Sequence, residues 1–567
     1  MATRGKSKNG FIDMLKRLPL SVALCATSLA ALAQTVPGAG QQLQQLPVIP
    51  PRTVPAPRLD IQKEPAPVSA PADASAIVVQ RLAVTGASVY SESELMAIAG
   101  FVSGQRLTLG DLNAMADRVT NRYRQDGYLV GRAYLPAQEV KDGVVTMAVL
   151  EGTYGNVKLN NASRLNDGVA HGILGGLNSG EVIASEPLES RLLQLSDLPG
   201  VEVRSTLVPG ASLGQSDLMV DVIEGPRISG SVDADNAGNR YTGEVRVGAT
   251  LNINNPAGWG DMVTLRALTS GPGLRYGRAA YQVPVGRGRV GVALSQLDYE
   301  LGKEFKPLDA HGRARTASLF GSYPLLRTRN SNHSVGLTLE NRRFDDHVGA
   351  FDFVSEKHAQ VAVASIYGDH SDMVGGGGFN SYLLSLTAGD LDIRTPSVRA
   401  TDATTARTHG GYGKLGFQLM RVQQVTASTS FMASVAGQVA STNLDSSEKM
   451  QLGGMYGVRA FPEGEASADQ GAVLTLEARQ LLPLSDRVPG QVQLVAFVDA
   501  GSVTLNKNPW SEGSNHRQLS GAGVGVYWAR ANDFSLKAFY ARPLGGDEAT
   551  SAPHKSGRFW VQAVKYF

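Results

Sequence analysis

Residues 227–567 carry the pattern that most restricts how this chain can fold. Segments of about ten residues alternate apolar and polar side chains and are separated by turn-rich stretches, as in transmembrane barrel strands. In residues 491–501 we expect one face to contact lipid and the other to line a lumen. The lipid-facing set is Val492, Leu494, Ala496, Val498 and Ala500, and the lumenal set is Gln491, Gln493, Val495, Phe497 and Asp499. A carboxylate, Asp499, is therefore predicted to point into the lumen.

The rest of the sequence leaves strands as the means of crossing a membrane. After residue 33 no stretch offers the roughly 18 uninterrupted apolar residues of a spanning helix. Because the bilayer core holds no water, strands can cross it only in a closed barrel whose backbone groups are all paired. Residues 227–567 are long enough for about 16 strands, an even number as in bacterial barrels. We therefore predict a transmembrane β-barrel of about 16 antiparallel strands that ends at Phe567.

Residues 1–33 have the features of a secretory signal peptide. A basic start precedes an apolar stretch, and Ala31 and Ala33 supply the small residues that a signal peptidase requires. The only cysteine, Cys25, lies in this segment, so a processed chain has no thiol for a disulfide, a metal site or a nucleophile. Without this basic segment, the balance of 53 basic and 51 acidic residues becomes slightly acidic. Nothing in that charge favours nucleic acid as a partner.

Residues 34–75 are rich in proline, with a glutamine patch at Gln41–Gln45. This composition predicts a semi-rigid extended linker, and plain disorder is the alternative.

Residues 76–226 read as two copies of one small α/β module. Each copy has the order strand, helix, helix, strand, strand, and each closes on a similar motif, at 149–152 and at 222–225. The two closing motifs are 73 residues apart, which indicates an internal duplication and predicts two units, residues 76–153 and 154–226. The expected elements of the first are 77–84, 92–99, 109–125, 128–135 and 144–150. Those of the second are 156–160, 165–177, 188–198, 201–208 and 217–223.

Two further motifs make the chain resemble a known family. One is Gly457-Val458-Arg459-Ala460-Phe461, and the other is Phe497-Val498-Asp499-Ala500-Gly501. Both resemble motifs of the outer-membrane transporters of two-partner secretion, the group of the filamentous haemagglutinin transporter and the haemolysin secretion/activation proteins. The resemblance implies that 76–153 and 154–226 are periplasmic POTRA domains, POTRA 1 and POTRA 2, ahead of a 16-stranded barrel.

In this family the sixth extracellular loop folds back into the barrel, where its arginine meets the aspartate of the Phe-x-Asp-x-Gly strand. The resemblance therefore pairs Arg459 with Asp499, the residue that the alternating pattern already places in the lumen. The family usually has glycine at the position of Ala460, so we expect a less tightly turned loop tip. The family also has a plug helix before the linker. Residues 34–46 are too few for a full plug, because a helix that crosses the membrane needs about 20 residues.

The resemblance implies a protein exporter of the bacterial outer membrane. The implied client is a large secreted protein, an adhesin, haemolysin or contact-dependent toxin. Its amino-terminal secretion domain binds the two POTRA domains, and the client then crosses the barrel unfolded. The other expected partners are outer-membrane lipids and the barrel-assembly machinery, without nucleic acid. POTRA strand edges are suited to capturing an extended chain by β-augmentation. Our candidate edge is Val201, Val203, Ser205 and Leu207.

Two other classes of protein share part of this pattern. An outer-membrane assembly factor has the same loop and strand motifs, usually with more POTRA units, and a passive porin has a barrel without a need for residues 76–226. We expect no enzymatic activity. Residues 210–214 match the Gly-x-Ser-x-Gly motif of hydrolase nucleophiles, but they lie in a turn between two strands rather than between a strand and a helix. We also expect neither a cofactor nor a metal site, since the sequence has no nucleotide motif and no close histidine pair.

Overall fold

The computed structural model describes residues 36–47, 58–61, 76–485, 487–553 and 555–567. The expected signal peptide, residues 1–33, and its Cys25 lie outside these ranges. Along the described chain, a short amino-terminal helix and an isolated strand precede two α/β units and a barrel. No helix in these ranges is long and apolar enough to cross a membrane.

The amino-terminal segment contributes two short elements to other parts of the molecule. Helix α1, Ala39–Gln44, packs against the inner wall of the barrel. Strand β1, Arg58–Ile61, joins the sheet of the second α/β unit. The expected linker thus carries local structure at both places.

The first unit, within residues 77–150, packs two helices on a small sheet. Helix α2, Glu92–Ala99, begins after Ser91, and helix α3, Leu109–Gln125, begins after Thr108. Each start is fixed by a capping box, in which side chain and backbone exchange hydrogen bonds. Apolar residues of both helices and of the strands form one core. The elements are β2 Ile77–Val79, β3 Arg81–Thr85, α2 Glu92–Ala99, β4 Gln105–Leu107, α3 Leu109–Gln125, β5 Arg132–Tyr134 and β6 Val144–Leu150.

The expected first strand, 77–84, is two strands in the structure. Strand β2 pairs with β4, whereas β3 pairs in parallel with β6. The break falls at Gln80, whose backbone N–H donates to the carbonyl oxygen of Gly143 at 2.8 Å. The expected strand 128–135 is also shorter, because the ring of Tyr128 packs edge-on against Tyr123 instead of continuing the sheet.

The second unit repeats this order with longer strands. Strand β9, Gln215–Glu224, pairs in parallel with β7, Thr153–Ala162, and antiparallel with β8, Val201–Pro209. Strand β1 pairs with the other edge of β8. The two helices cover one face of this sheet with a continuous apolar core. The elements are β7 Thr153–Ala162, α4 Asp167–Leu174, α5 Ser185–Ser196, β8 Val201–Pro209 and β9 Gln215–Glu224.

The closing glutamates of the two units perform the same task with different strength. In the first unit, Glu151 accepts hydrogen bonds from the backbone N–H groups of Ser88 and Val89, both at 2.7 Å, and from the hydroxyl of Tyr123 at 2.7 Å. In the second unit, Glu224 is exposed and accepts a bond from the N–H of Arg164 at 3.0 Å. Both carboxylates hold the loop that follows an early strand of the unit.

We expect Glu151 to make the first unit sensitive to acid. Burial acts to raise the pKa of Glu151, but the hydrogen bonds from Ser88, Val89 and Tyr123 outweigh it and hold the pKa below its ordinary value. A depressed folded-state pKa stabilises the fold above the unfolded value of about 4.3, and this stabilisation is lost as the pH falls through the folded pKa. Hydrogen exchange of residues 76–153 should therefore accelerate below about pH 4.

A matched pair of variants tests this expectation. Glu151→Gln should destabilise the first unit by about 2 kcal/mol at pH 7 and remove part of its acid dependence. Glu224→Gln in the second unit should have a smaller effect at pH 7, because this exposed carboxylate holds one backbone N–H. Equal protection of residues 76–153 in Glu151→Gln and in the unaltered protein would refute the role of this carboxylate.

The remaining strands form a closed barrel of 16 antiparallel strands, which confirms the expected fold class. Each strand pairs with its neighbours in sequence, and β10 pairs with β25 to close the ring. The strands are β10 Ile228–Asp235, β11 Arg246–Asn254, β12 Met262–Thr269, β13 Leu274–Val285, β14 Gly288–Glu300, β15 Ala310–Arg327, β16 Ser331–Val348, β17 Phe353–Asp372, β18 Gly378–Ile393, β19 Gly410–Gln424, β20 Thr429–Ala440, β21 Gln470–Leu481, β22 Gln491–Thr504, β23 His516–Arg530, β24 Phe534–Gly546 and β25 Arg558–Tyr566. The loop between β18 and β19 carries a nine-residue helix, α6, Pro396–Thr404.

Strand β22 has the faces that its alternating sequence predicts. Val495, Phe497 and Asp499 are buried toward the lumen, whereas Leu494 and Val498 are 46% and 44% exposed on the outer wall. At one end of the barrel, Arg327 of β15 is bonded to Asp197 after helix α5 at 2.7 Å. The second unit therefore sits at this end, and the long loops lie at the other.

Candidate functional site

The loop between β20 and β21, residues 441–469, folds back into the barrel; we call it loop 6. Its segment around 452–461 is buried, with Leu452 and Val458 fully covered. The N–H of Val458 donates to the carbonyl oxygen of Leu452 at 2.8 Å, which closes the loop on itself. Gly457 fits this turn because a Cβ there would lie 2.3 Å from the same oxygen. The motif residues Gly457–Phe461 therefore form a compact tip inside the lumen.

The structure brings the tip arginine against the strand aspartate. The Nε and Nη2 atoms of Arg459 donate to the two carboxylate oxygens of Asp499 at 2.9 and 2.8 Å, and the backbone N–H of Arg459 donates at 3.1 Å. The hydroxyl of Thr475 donates to the same carboxylate at 3.0 Å. Both charged side chains are buried, Arg459 at 4% and Asp499 at 0% exposure. This bidentate pair is a charge-assisted contact of the strong kind.

A second carboxylate completes the site. The Nη1 atom of Arg459 donates to Glu477 at 2.7 Å, and Arg479 donates to the other oxygen of Glu477 at 2.7 Å. The guanidinium carbon of Arg459 also lies 3.4 Å from the ring centre of Phe497, the first residue of the strand motif. Burial acts to lower the pKa of Arg459, but Asp499 and Glu477 outweigh it and hold the pKa above its ordinary value. Sequence reasoning missed Glu477, because it belongs to neither motif.

Ala460 lies where its small side chain is accommodated by a neighbour. Its backbone does not take a positive φ, and its Cβ faces Gly521, which is directly opposite Asp499 in the β22–β23 pair. Gly521 thus supplies the space for the methyl group of Ala460, and the less tightly turned tip stays a prediction. Phe461 is buried in the apolar cluster around the tip, and Gly501 faces the side chain of Leu452.

We expect Gly521→Ala to displace the tip of loop 6. A Cβ atom at position 521 would lie 2.5 Å from the Cβ of Ala460, closer than two carbon atoms can approach. Overpacking of this kind costs about 1–3 kcal/mol. The change should raise the rate at which a thiol at Val458→Cys is labelled, because that position is fully buried while the loop is docked.

A compensating substitution distinguishes this clash from general damage to the barrel. Adding Ala460→Gly to Gly521→Ala should restore most of the slow labelling, a coupling that a double-mutant cycle measures. Gly277→Ala is the matched control, because a Cβ there would meet no atom within 4 Å. Absence of rescue by Ala460→Gly would contradict the contact.

Ion pairs along loop 6 fasten its base to the barrel wall. Glu448 is bonded to Arg342 at 2.6 Å and to Lys414 at 2.8 Å, and Asp445 is bonded to Lys357 at 2.6 Å. These acidic loop residues are buried. Sequence reasoning missed them, since acids in a long loop carry no sign of their distant partners. Loop 6 is therefore held at its base and at its tip.

Helix α1 lies against loop 6 and the wall, where sequence reasoning found too few residues for a full plug. Its Gly40 packs so closely on Ser447 of the loop that a Cβ would lie 2.6 Å from the serine Cβ. After the helix, Gln45 donates to Gln451 at 3.1 Å and accepts from Arg246 of β11 at 2.5 Å. The helix thus fills part of the lumen with six residues, because it is held by lateral hydrogen bonds rather than by spanning the membrane.

The candidate edge on β8 differs from our expectation in two ways. The side chains of Val201, Val203, Ser205 and Leu207 are buried in the core of the second unit, because strand alternation turns the odd-numbered residues inward. The edge itself is not free over its middle part, since β1 pairs in parallel with residues 204–207. The outward positions of this strand are the even-numbered residues, of which Arg204 is exposed.

Comparison with known proteins agrees with this geometry. The sequence model of the haemolysin secretion/activation proteins ShlB/FhaC/HecB matches residues 214–528, and that of the ShlB-type POTRA domain matches residues 77–152. The heme/hemopexin transporter protein HuxB of Haemophilus influenzae is 28% identical over 479 residues, 84% of each chain. The outer membrane transporter CdiB of Dickeya dadantii is 25% identical over 435 residues, 74% of each chain. The structure of CdiB from Escherichia coli superposes with a TM-score of 0.68 at 21% identity, covering 89% of this chain and 92% of that one, and so has the same fold.

Proposed function

Because this chain belongs to the haemolysin secretion/activation protein family ShlB/FhaC/HecB, we propose that it captures one large secreted protein and conducts it outward through its barrel, catalysing no reaction. It lies in the outer membrane, with its two α/β units, the POTRA domains, in the periplasm. Relatives are named for a haemolysin, for heme/hemopexin transport and as CdiB transporters. The client proposed here is accordingly an adhesin, a haemolysin or a contact-dependent toxin with an amino-terminal secretion domain.

The observation that carries the proposal is the occupied lumen. Loop 6 is docked through Arg459 and Asp499, and helix α1 fills space beside it. A client chain needs both to move aside. A buried ion pair is suited to holding the loop closed, because removing one partner leaves the other charge buried without compensation, which is costly. Arg459 and Asp499 thus act as the lock of a gate in this proposal.

The capture step is assigned to the outer edge of β8. A strand edge offers a row of backbone N–H and C=O groups to an incoming extended chain. Strand β1 makes this kind of pairing with residues 204–207, which supports the edge as a place where an extended segment binds. A client strand there replaces β1 and gains the same backbone bonds.

Two other partners belong to the proposal. Outer-membrane lipids surround the apolar outer wall, on which Leu386, Val524 and Phe559 are exposed. The barrel-assembly machinery inserts the chain and reads its last strand, β25, followed by Phe567.

Cysteine cross-linking during export tests the proposal. The one cysteine of the chain, Cys25, lies in the expected signal peptide, so an introduced cysteine is the sole thiol of the processed protein. Cells producing a client fragment with its secretion domain should display that fragment outside. In a cysteine scan of the client, Arg204→Cys on β8 should form a disulfide with the client position opposite it and not with the two adjacent positions, whose side chains point to the other face of a paired strand.

The opposite edge of the same sheet provides the control. Asn160 of β7 is exposed at that edge, so Asn160→Cys should cross-link little. Equal cross-linking from both positions, or none from Arg204→Cys during active export, would remove the capture role of β8. Failure of the intact protein to deliver any client outside would overturn the export function for that client.

A further inference from the structure

A row of polar residues crosses the outer wall of the barrel near its extracellular end. In the strand register, Gln296 of β14 lies opposite Arg315, Arg315 opposite Arg343, and Arg343 opposite His358 of β17. Arg315 and Arg343 are exposed, while their sequence neighbours Ala314 and Phe344 are buried toward the lumen. The two arginines therefore face outward from the barrel.

The two guanidinium groups are directly opposed, and the acid nearest to Arg315, Asp298, is bonded to Arg313 rather than to either of them. Like charges at directly opposite positions of an antiparallel pair destabilise it. The Nε atom of Arg315 donates to the neutral amide oxygen of Gln296 at 3.3 Å, and within the described ranges neither arginine forms an ion pair. By contrast, Arg313 in the next row outward is paired with Asp298 at 2.5 Å. An anion between Arg315 and Arg343 would remove this repulsion.

An apolar concavity lies on the same face, just toward the membrane. Its volume is about 1140 Å³, its outward lining includes the apolar residues Tyr281, Leu294, Ala317, Leu319 and Ala362, and one row of it carries the polar residues Asn341, Gln360 and Asp390. Ala317 and Leu319 follow Arg315 on the same side of β15, so the concavity begins within about 7 Å of the arginine row. Small alanines between large apolar side chains give the wall this hollow, which has the shape and polarity to hold a hydrocarbon chain.

The height of this face in the membrane identifies the kind of ligand. The other end of β15 contacts the second α/β unit through Arg327 and Asp197, so Arg315 lies toward the extracellular side. Leu319 and Leu339, a cross-strand pair in the lipid-facing band, lie four residues from Arg315 and Arg343 along their strands. The arginine row thus meets the headgroups of the outer leaflet.

We propose that this face binds a phosphorylated glycolipid of the outer leaflet, with Arg315 and Arg343 on a phosphate and one acyl chain in the concavity. Guanidinium groups bind phosphate in bidentate fashion, and two of them offer a fork from each side. The lipid A part of lipopolysaccharide combines the two required features, a phosphate and attached acyl chains. This site is separate from the lumen and does not depend on the export function.

Native mass spectrometry of the full chain in detergent tests the site, with bis-phosphorylated lipid A as the probe. We expect the double variant Arg315→Gln/Arg343→Gln to bind lipid A about tenfold more weakly, through loss of charge-assisted bonds. The matched control is Arg399→Gln/Arg407→Gln, which removes two exposed arginines from the β18–β19 loop. The control should bind as the unaltered protein does.

Two further comparisons separate the phosphate from the acyl chain. Dephosphorylated lipid A should bind the unaltered protein about tenfold more weakly than lipid A does, and Ala317→Phe, which fills the concavity, should also weaken binding. Inorganic phosphate at millimolar concentration should leave lipid A bound, because it lacks the chain that fills the concavity. Full displacement by inorganic phosphate would reduce the site to a simple anion contact. Equal binding by the arginine variant and its control, or of lipid A and phosphatidylglycerol, would overturn the proposal.

Discussion

Asp499→Ala is expected to release the docked tip of loop 6 from the barrel wall. The substitution removes the acceptor of three hydrogen bonds from Arg459 and leaves that buried guanidinium on Glu477 alone. Breaking a buried pair from one side costs about 3–5 kcal/mol. The balance between docked and free loop should then shift by roughly two to four orders of magnitude toward the free state. The labelling rate of Val458→Cys measures this shift directly, and secretion of a client fragment measures its consequence.

Graded substitutions separate the charge from the shape of this contact. Asp499→Asn keeps one acceptor oxygen and should lie between the unaltered protein and Asp499→Ala. Arg459→Lys keeps the charge but, as a single ammonium group, cannot serve both oxygens of Asp499 as the guanidinium fork does. Asp392→Ala is the control, because its pair with Arg394, at 3.2 Å, is exposed and contributes about 0–1 kcal/mol. Normal export and slow labelling in both Asp499→Ala and Arg459→Ala would show that the pair is not needed to dock loop 6.

The predictable part of this molecule is the part that repeats or alternates. The lumenal position of Asp499 follows from strand alternation, because successive side chains of a barrel strand point alternately to the lipid and to the lumen. The two α/β units follow from a duplicated order of elements that ends on Glu151 and Glu224. The pairing of Arg459 with Asp499 needed the family resemblance, since nothing in the spacing of two charges 40 residues apart connects them.

The unpredictable part depends on contacts without a pattern. Helix α1 is short and is held by glutamine side chains and by the fit of Gly40 on Ser447, none of which produces a periodic signal. Strand β1 binds through its backbone, so its four residues need no particular sequence to pair with β8. The fit of Ala460 in the tip of loop 6 has the same origin, because the space for its methyl group is provided by Gly521 on another strand.

Deletion of residues 76–226 is expected to abolish export while the barrel still inserts. The barrel closes on itself through β10 and β25, so its backbone bonds do not depend on the two α/β units. Among the described contacts, the second unit meets the wall through polar groups, such as Arg329 with Glu189 at 3.1 Å. Such partly exposed pairs contribute about 0–1 kcal/mol each, which is little against a closed barrel. The capture edge on β8, in contrast, disappears completely with the deletion.

The deletion also removes the pairing of β1 with β8 and the contact between the second unit and the barrel. A second variant is therefore needed to separate capture of the client by β8 from attachment of the units to the barrel. Arg327→Gln/Arg329→Gln keeps both units and weakens their contact with the barrel, since Arg327 is bonded to Asp197 and Arg329 to Glu189. If capture is the essential step, this variant should retain much of the secretion of a client fragment, and the deletion should retain none although its barrel migrates as a folded species. Secretion by the deletion at the level of the intact protein would end the capture role of residues 76–226 and leave a simple pore.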